Sequence, residues 1–194
     1  MKKKETRQLL DFISEAGLLK RVKRSGWWVL GVKDPESVAD HSFRCAMIAY
    51  VIARMEKVAP YKVLVMSLFN DIHESRIGDL HKMAQRYING EDTEDRVFDE
   101  QMDNLPGDVS EEMVLLRKEY RMQRSKESIV ARDADILECL IQAKEYYEHG
   151  FKEAVKFMKK APRCLETKTA RQIWKMAESS PVNEWWEQLS EFKR

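Results

Sequence analysis

The chain has 194 residues, with 34 Lys+Arg against 33 Asp+Glu, a formal charge of +1, and 43% hydrophobic and 35% charged residues. That length carries one domain with a real core, and the composition excludes a disordered segment. The charge balance argues against a protein built mainly to grip nucleic acid, which carries a clearer basic excess.

The basic N-terminus Met1-Lys2-Lys3-Lys4 is followed by no apolar signal core, and no apolar run reaches the length of a membrane span. Leu9, Leu10, Phe12 and Ile13, then Leu18 and Leu19, predict a first amphipathic helix. Arg24-Ser25-Gly26-Trp27-Trp28 interrupts it, and Gly31 and Pro35 keep the chain irregular. Pro35-Glu36-Ser37-Val38 reads as the start of a second helix, with proline favoured in the first turn. Pro60 begins a third, expected to end near Glu74. Gly78, Gly90, Pro106 and Gly107 punctuate the next stretch, where 91–95 form an acidic, solvated helix start. A helix follows through Glu111–Gln123, and another from near Ser125 to about His149, closed by Gly150. Two shorter helices end the chain, split by Ser179-Ser180-Pro181. The expected architecture is all-α: one compact helical bundle over 1–194, with the terminal helices 150–194 in the same domain. Cys45, Cys139 and Cys164 are odd in number and far apart. They fit buried thiols in a reducing cytoplasm better than a disulfide framework or a zinc knuckle. Lys152, Lys156, Lys159, Lys160 and Arg163 read as a solvated face.

Three polar clusters stand out against the apolar helices. The first is Asn70-Asp71-Ile72-His73-Glu74, closing the apolar run 63–69. On a continuous helix Asn70, Asp71 and Glu74 share a sector of about 100°. Taken alone, this is a wet helix face. The second is Asp40-His41, where a lone histidine is more often structural than a ligand. The third is Asp135, set beside Ile136 and Leu137. A carboxylate in such a helix needs an arginine or a metal as partner.

Together they read His…Asn-Asp-x-x-Glu…Asp on successive core helices. With Arg24-x-Gly26-Trp27, Pro35 to Ser42, Gly78-Asp79-Leu80 and Asp133 to Glu138, this order resembles the HD-domain metal-dependent phosphohydrolases over roughly residues 8–148. Within them it is most similar to the branch of the 5′-deoxynucleotidases. The resemblance implies an HD-domain bundle and a divalent cation (Mn, Co, Mg, Zn or Ni) held by His41, Asn70, Asp71 and Asp135. Asn70 departs from the family's histidine, and its neutral amide is a poorer ligand for borderline metals. That predicts weaker binding, a shift towards harder ions or loss of the site, with His73 one candidate replacement. The resemblance makes Glu74 a proton carrier and Asp79 a second acid, with a helix N-cap as Asp79's alternative role. It assigns Arg24 to phosphate, Trp27 to the sugar and Arg76 to a second phosphate contact, while Trp28 defaults to core packing. The implied substrate is a deoxyribonucleoside 5′-monophosphate. Alternatives are a nucleoside triphosphate hydrolase and, because of Asn70, a silent nucleotide-binding module. A cytoplasmic homodimer with no membrane or nucleic-acid partner is expected, with Trp185-Trp186 packed across the interface or onto the protomer.

Overall fold

The computed structural model describes residues 2–88, 90–187 and 189–190. Its α-helices are α1 (Lys3–Ala16), α2 (Val38–Glu56), α3 (Pro60–Phe69), α4 (Glu74–Ile77), α5 (Lys82–Gln85), α6 (Gly90–Met102), α7 (Gly107–Met122), α8 (Lys126–Glu148), α9 (Val155–Lys160), α10 (Lys168–Ser179) and α11 (Glu184–Glu187). Among the described residues the only β pairing is an isolated bridge between Lys23 and Ser37. The all-α expectation holds.

Helices α2, α3 and α8 pack against one another at the centre. Their contact faces combine Ala49, Ala53, Ala131 and Ala134 with Ile52, Val63, Leu137 and Leu140, all buried. Alanines let the helix axes approach, while each fully buried large aliphatic side chain contributes about 1.5–3 kcal/mol. Helix α7 covers α3 and α8, and α9 and α10 cover the other flank of α8.

The second helix starts at Val38, three residues after its proline. Ser37 is the N-cap, its hydroxyl accepting from Asp40 N, and the Asp40 carboxylate accepts from Ser37 N. This reciprocal box fixes the start, leaving Pro35 outside the first turn. The third helix starts at Pro60 but stops at Phe69, short of Glu74. The reason is a long-range competitor. Arg117 Nη1–H donates to the Asn70 carbonyl at 2.6 Å, and Glu74 N turns instead to Asp71 O at 3.0 Å. The chain tightens into i→i−3 bonds over this turn. A helical wheel across 70–74 therefore does not apply.

Other expectations shift in detail. Only Phe12 is buried on α1, and Leu10 and Ile13 face solvent. Trp28 is 53% exposed rather than in the core, whereas Trp27 is 2% exposed. Glu94 and Asp95 are not simply solvated, because both pair with Arg117 and Arg121. Cys45 is buried, but Cys139 is half-buried and Cys164 exposed. Trp185 and Trp186 are exposed on the protomer. Helices α9, α10 and α11 all follow Gly150, whose φ of +103° closes α8.

The C-terminal segment is tied to α8 by Asp133. Its buried carboxylate accepts from Glu166 N at 2.9 Å, Thr167 N at 2.6 Å and Thr167 Oγ1 at 2.6 Å. Asp133→Ala is expected to lower the unfolding free energy in urea by about 2–4 kcal/mol, because it orphans two backbone donors. A loss under about 0.5 kcal/mol, the usual surface value, would show that this tether carries no stability.

Candidate metal centre

The Ser37–Asp40 box places His41 in the first turn of α2, with its ring 2% exposed. The ring's Nδ1 bonds Glu138, a carboxylate with no solvent exposure. Arg44 Nε donates to the other Glu138 oxygen at 2.8 Å, and Arg44 is itself fixed by Glu145 and Gln142 at 2.7 Å each. This chain locks the ring orientation and assigns Nδ1 to Glu138. Nε2 is left facing the interior of the site, the arrangement that supports histidine ligands elsewhere.

Around Nε2 lie Asp135 Oδ1 at 3.2 Å and Asp71 Oδ2 at 3.5 Å. Asp135 comes from the middle of α8 and Asp71 from the tight turn after α3. The three side chains therefore converge. Two carboxylates on one ring nitrogen require a positive charge between them. Without a metal, a proton supplies it. Burial and the Arg24 charge push His41 down, but Asp135 and Glu138 outweigh both and raise it to about 10. Asp135 is driven the opposite way: burial raises it, yet His41, Arg24 and Arg132 hold it well below the carboxylate range. Arg132 at 3.5 Å and the Tyr120 hydroxyl at 3.4 Å flank its second oxygen. Asp135 thus has arginine partners as well as a ligand-like setting.

Glu74 opens α4 beside this group. It is 8% exposed and its Oε2 has no hydrogen-bond partner. Burial and the charges of Asp71 and Asp79 push it well above the usual carboxylate range, against the pull of Arg24 and His41. A carboxyl so placed holds a proton that a small charge rearrangement can release.

Arg24 enters from the N-terminal loop. Its Nη1 lies 3.6 Å from Asp71 Oδ2, and Nη2–H donates to Cys139 Sγ at 3.1 Å. Asp79 anchors that loop: its carboxylate accepts from Ser25 N at 2.6 Å, and its carbonyl from Ser25 Oγ at 2.8 Å. The N-cap of α5 is His81, so Asp79 does not serve that helix. Trp27 turns inward, donating Nε1–H to Glu36 at 2.9 Å and packing on Tyr146 and Phe157.

Asn70 sits beside the cluster, its Nδ2–H donating to Asp71 Oδ1 at 2.7 Å. His73 is turned to the α6–α7 side, with Nδ1 3.4 Å from Arg117 and Nε2 3.7 Å from Glu94. Burial and Arg117 both lower its basicity. Arg76 belongs to another network, paired with Glu15 at 2.5 Å and Glu100 at 3.0 Å. The structure thus gathers His41, Asp71, Asp135, Glu74 and Arg24, with Asn70 and Asp79 at the edge. Arg76 and the Trp27 ring are engaged elsewhere. The sequence reading assigned no role to Glu138, Arg44 and Cys139. Glu138 and Cys139 stand three and four residues after Asp135, on the same face of α8, which was the available signal.

The donor atoms of His41, Asp135 and Cys139 lie within 4.8 Å of one another and could hold a metal ion, with Asp71 Oδ2 3.5 Å from the His41 ring. The chain matches the family model described as HD domain over residues 16–178. It is 34% identical over 143 residues to the human 5′-deoxynucleotidase HDDC2, covering 72% of this chain and 69% of the human protein. The Dictyostelium discoideum 5′-deoxynucleotidase HDDC2 is 33% identical over 147 residues, 71% of this chain and 76% of that one. Among solved structures, the PH0347 protein from Pyrococcus horikoshii superposes with a TM-score of 0.74 at 30% identity, over 88% of this chain and 96% of that one.

The Arg76 network gives a pH test. Burial raises Glu15, but hydrogen bonds from Arg76 and Gln101 lower it further, below its ordinary 4.5. A carboxyl lowered in the folded state stabilises above its unfolded value, and that gain disappears as pH falls through the lowered value. The stability difference between wild type and Glu15→Gln should be full at neutral pH and shrink below 4.5. Arg76→Ala should leave the Michaelis constant for a nucleotide substrate within about twofold, under the 1.4 kcal/mol that a tenfold change represents. A large rise would return Arg76 to the substrate site.

Proposed function

The chain belongs to the HD-domain family, and on that footing we propose that it is a metal-dependent phosphomonoesterase that converts deoxyribonucleoside 5′-monophosphates to deoxyribonucleosides and phosphate. The observation that carries this reading is the convergence of His41 Nε2, Asp71 Oδ2 and Asp135 Oδ1 beside the unpartnered Glu74 carboxyl. The names of the human and Dictyostelium relatives point to the substrate class.

His41, Asp71 and Asp135 would hold the cation, with Asn70 able to add only an amide oxygen. A divalent ion there supplies Lewis-acid activation of water and neutralises phosphoryl charge. Arg24, now on Asp71 and Cys139, would transfer its planar guanidinium to the phosphoryl oxygens. Glu74 would deliver its bound proton to the leaving 5′-oxygen and then take back the proton released by the attacking water. Asp79 would hold the Arg24–Ser25 turn in place and keep the Glu74 proton bound. Buried Trp27 would act on sugar selectivity by setting the shape of that same turn.

A second reading, a nucleotide-binding module without turnover, is favoured by Asn70 alone. The functional unit would be a homodimer. Phe43, Met47, Val51 and Met55 form an exposed apolar stripe along α2, of the kind that a second copy buries. Among the described residues no helix is long and apolar enough to cross a membrane.

Phosphate release from deoxyadenosine and adenosine 5′-monophosphates tests the proposal, first with chelator and then with each divalent metal. Metal-dependent release favouring the deoxy substrate is expected, with Glu74→Gln about 10²-fold or more slower in kcat. No release from wild type or Asn70→His under any metal would overturn the enzymatic reading and leave the binding module.

A further inference from the structure

Position 70 presents an amide where the resemblance implies an imidazole, so the question is which side chain completes the ligand set. The amide is committed to Asp71, and as a neutral oxygen it binds borderline metals weakly. His73 is the nearest imidazole in sequence, but it lies between Arg117 and Glu94 on the opposite side of the turn. Neither is placed to restore a strong donor.

A third side chain is. We propose that Cys139 is a metal ligand, forming with His41, Asp71 and Asp135 a centre that selects Zn²⁺ or Co²⁺ over Mg²⁺. The inference rests on the metal-dependent reading above and deepens it.

Cys139 follows Asp135 by one helical turn on α8. Its Sγ, a His41 ring nitrogen and an Asp135 oxygen all lie within 4.8 Å of one another. Zinc bonds of about 2.0–2.3 Å place tetrahedral ligands about 3.5 Å apart, so the sulfur closes onto a shared ion by a small side-chain shift. The sulfur already faces a cation, because it accepts from Arg24 Nη2 at 3.1 Å. A thiolate sulfur has further lone pairs, so it can bind a metal while still accepting from Arg24.

The charge count supports the same set. Neutral His41 with Asp71, Asp135 and a thiolate gives three negative charges around a dication. The single excess negative charge is matched by Arg24, which stands between Asp71 and Cys139. Metal binding replaces the Cys139 S–H and the His41 Nε2–H with bonds to the metal and releases both protons to solvent, with no change in oxidation state. A thiolate shifts preference towards softer ions, which opposes the harder-ion shift expected from Asn70 alone.

The test adds Co²⁺ to metal-free wild-type, Cys139→Ser and His41→Ala proteins, reading absorption and binding isotherms. Wild type should show a near-ultraviolet sulfur-to-cobalt charge-transfer band. Cys139→Ser should lack it and bind Co²⁺ at least tenfold more weakly, and Asn70→His should restore affinity to that variant without restoring the band. Cobalt bound by wild type without the band, and equally well by Cys139→Ser, would overturn the thiolate ligand while leaving the metal-dependent reading intact. No cobalt binding by wild type would overturn both. The wild-type spectrum needs no variant to fold.

Discussion

The structure around the site depends on one electrostatic constraint, the His41 imidazole fixed among three carboxylates. Glu138 holds Nδ1, while Asp71 and Asp135 face Nε2. These carboxylates come from two other elements, so the ring joins α2, the turn after α3, and α8 at one point. Buried carboxylates repel unless positive charge lies between them. The imidazole with its proton meets that need in the metal-free protein, and a dication meets it more strongly. Arg44, Arg24 and Arg132 form an outer shell that keeps this much negative charge compatible with a folded core.

The same packing explains why the chain breaks α3 where it does. A continuous helix through Glu74 would direct Asp71 and Glu74 by helical period alone. Arg117 instead captures the Asn70 carbonyl, and Gln101 Nε2–H reaches the Ile72 carbonyl at 3.3 Å. Both donors come from covering helices, α7 and α6. The turn is therefore stabilised from outside by the elements that also hold His73. Stability and site geometry are coupled there: the bonds that satisfy the interrupted backbone also aim the ligand and the proton carrier.

The long helices were legible because they carry an apolar period and recognisable ends, such as Pro60 opening α3 and Ser125 capping α8. Asp135 was legible because a carboxylate within an apolar run must find a partner. The break after Phe69 was not, because its cause lies 47 residues away in Arg117. Sequence put Trp28 rather than Trp27 in the core, the reverse of their burial, because burial of Trp27 depends on Tyr146 and Phe157 arriving from distant helices. Arg24 and Arg76 look alike as phosphate binders. Only their neighbours separate them, because Glu15 and Glu100 claim Arg76 while Arg24 faces a sulfur and one of the site's carboxylates.

Asn70 then marks where local sequence and tertiary setting disagree. Judged by residue type, the substitution removes the strongest neutral donor and weakens the centre. Judged by position, it leaves a cluster whose negative charge is unchanged and whose remaining side chains still require a cation. Helix α8 would complete such a centre, because Asp135, Glu138 and Cys139 share one helix face directed at His41. The helix that supplies the last ligand also supplies the carboxylate that orients the first. That redundancy would offset the loss of one imidazole if Cys139 binds the ion.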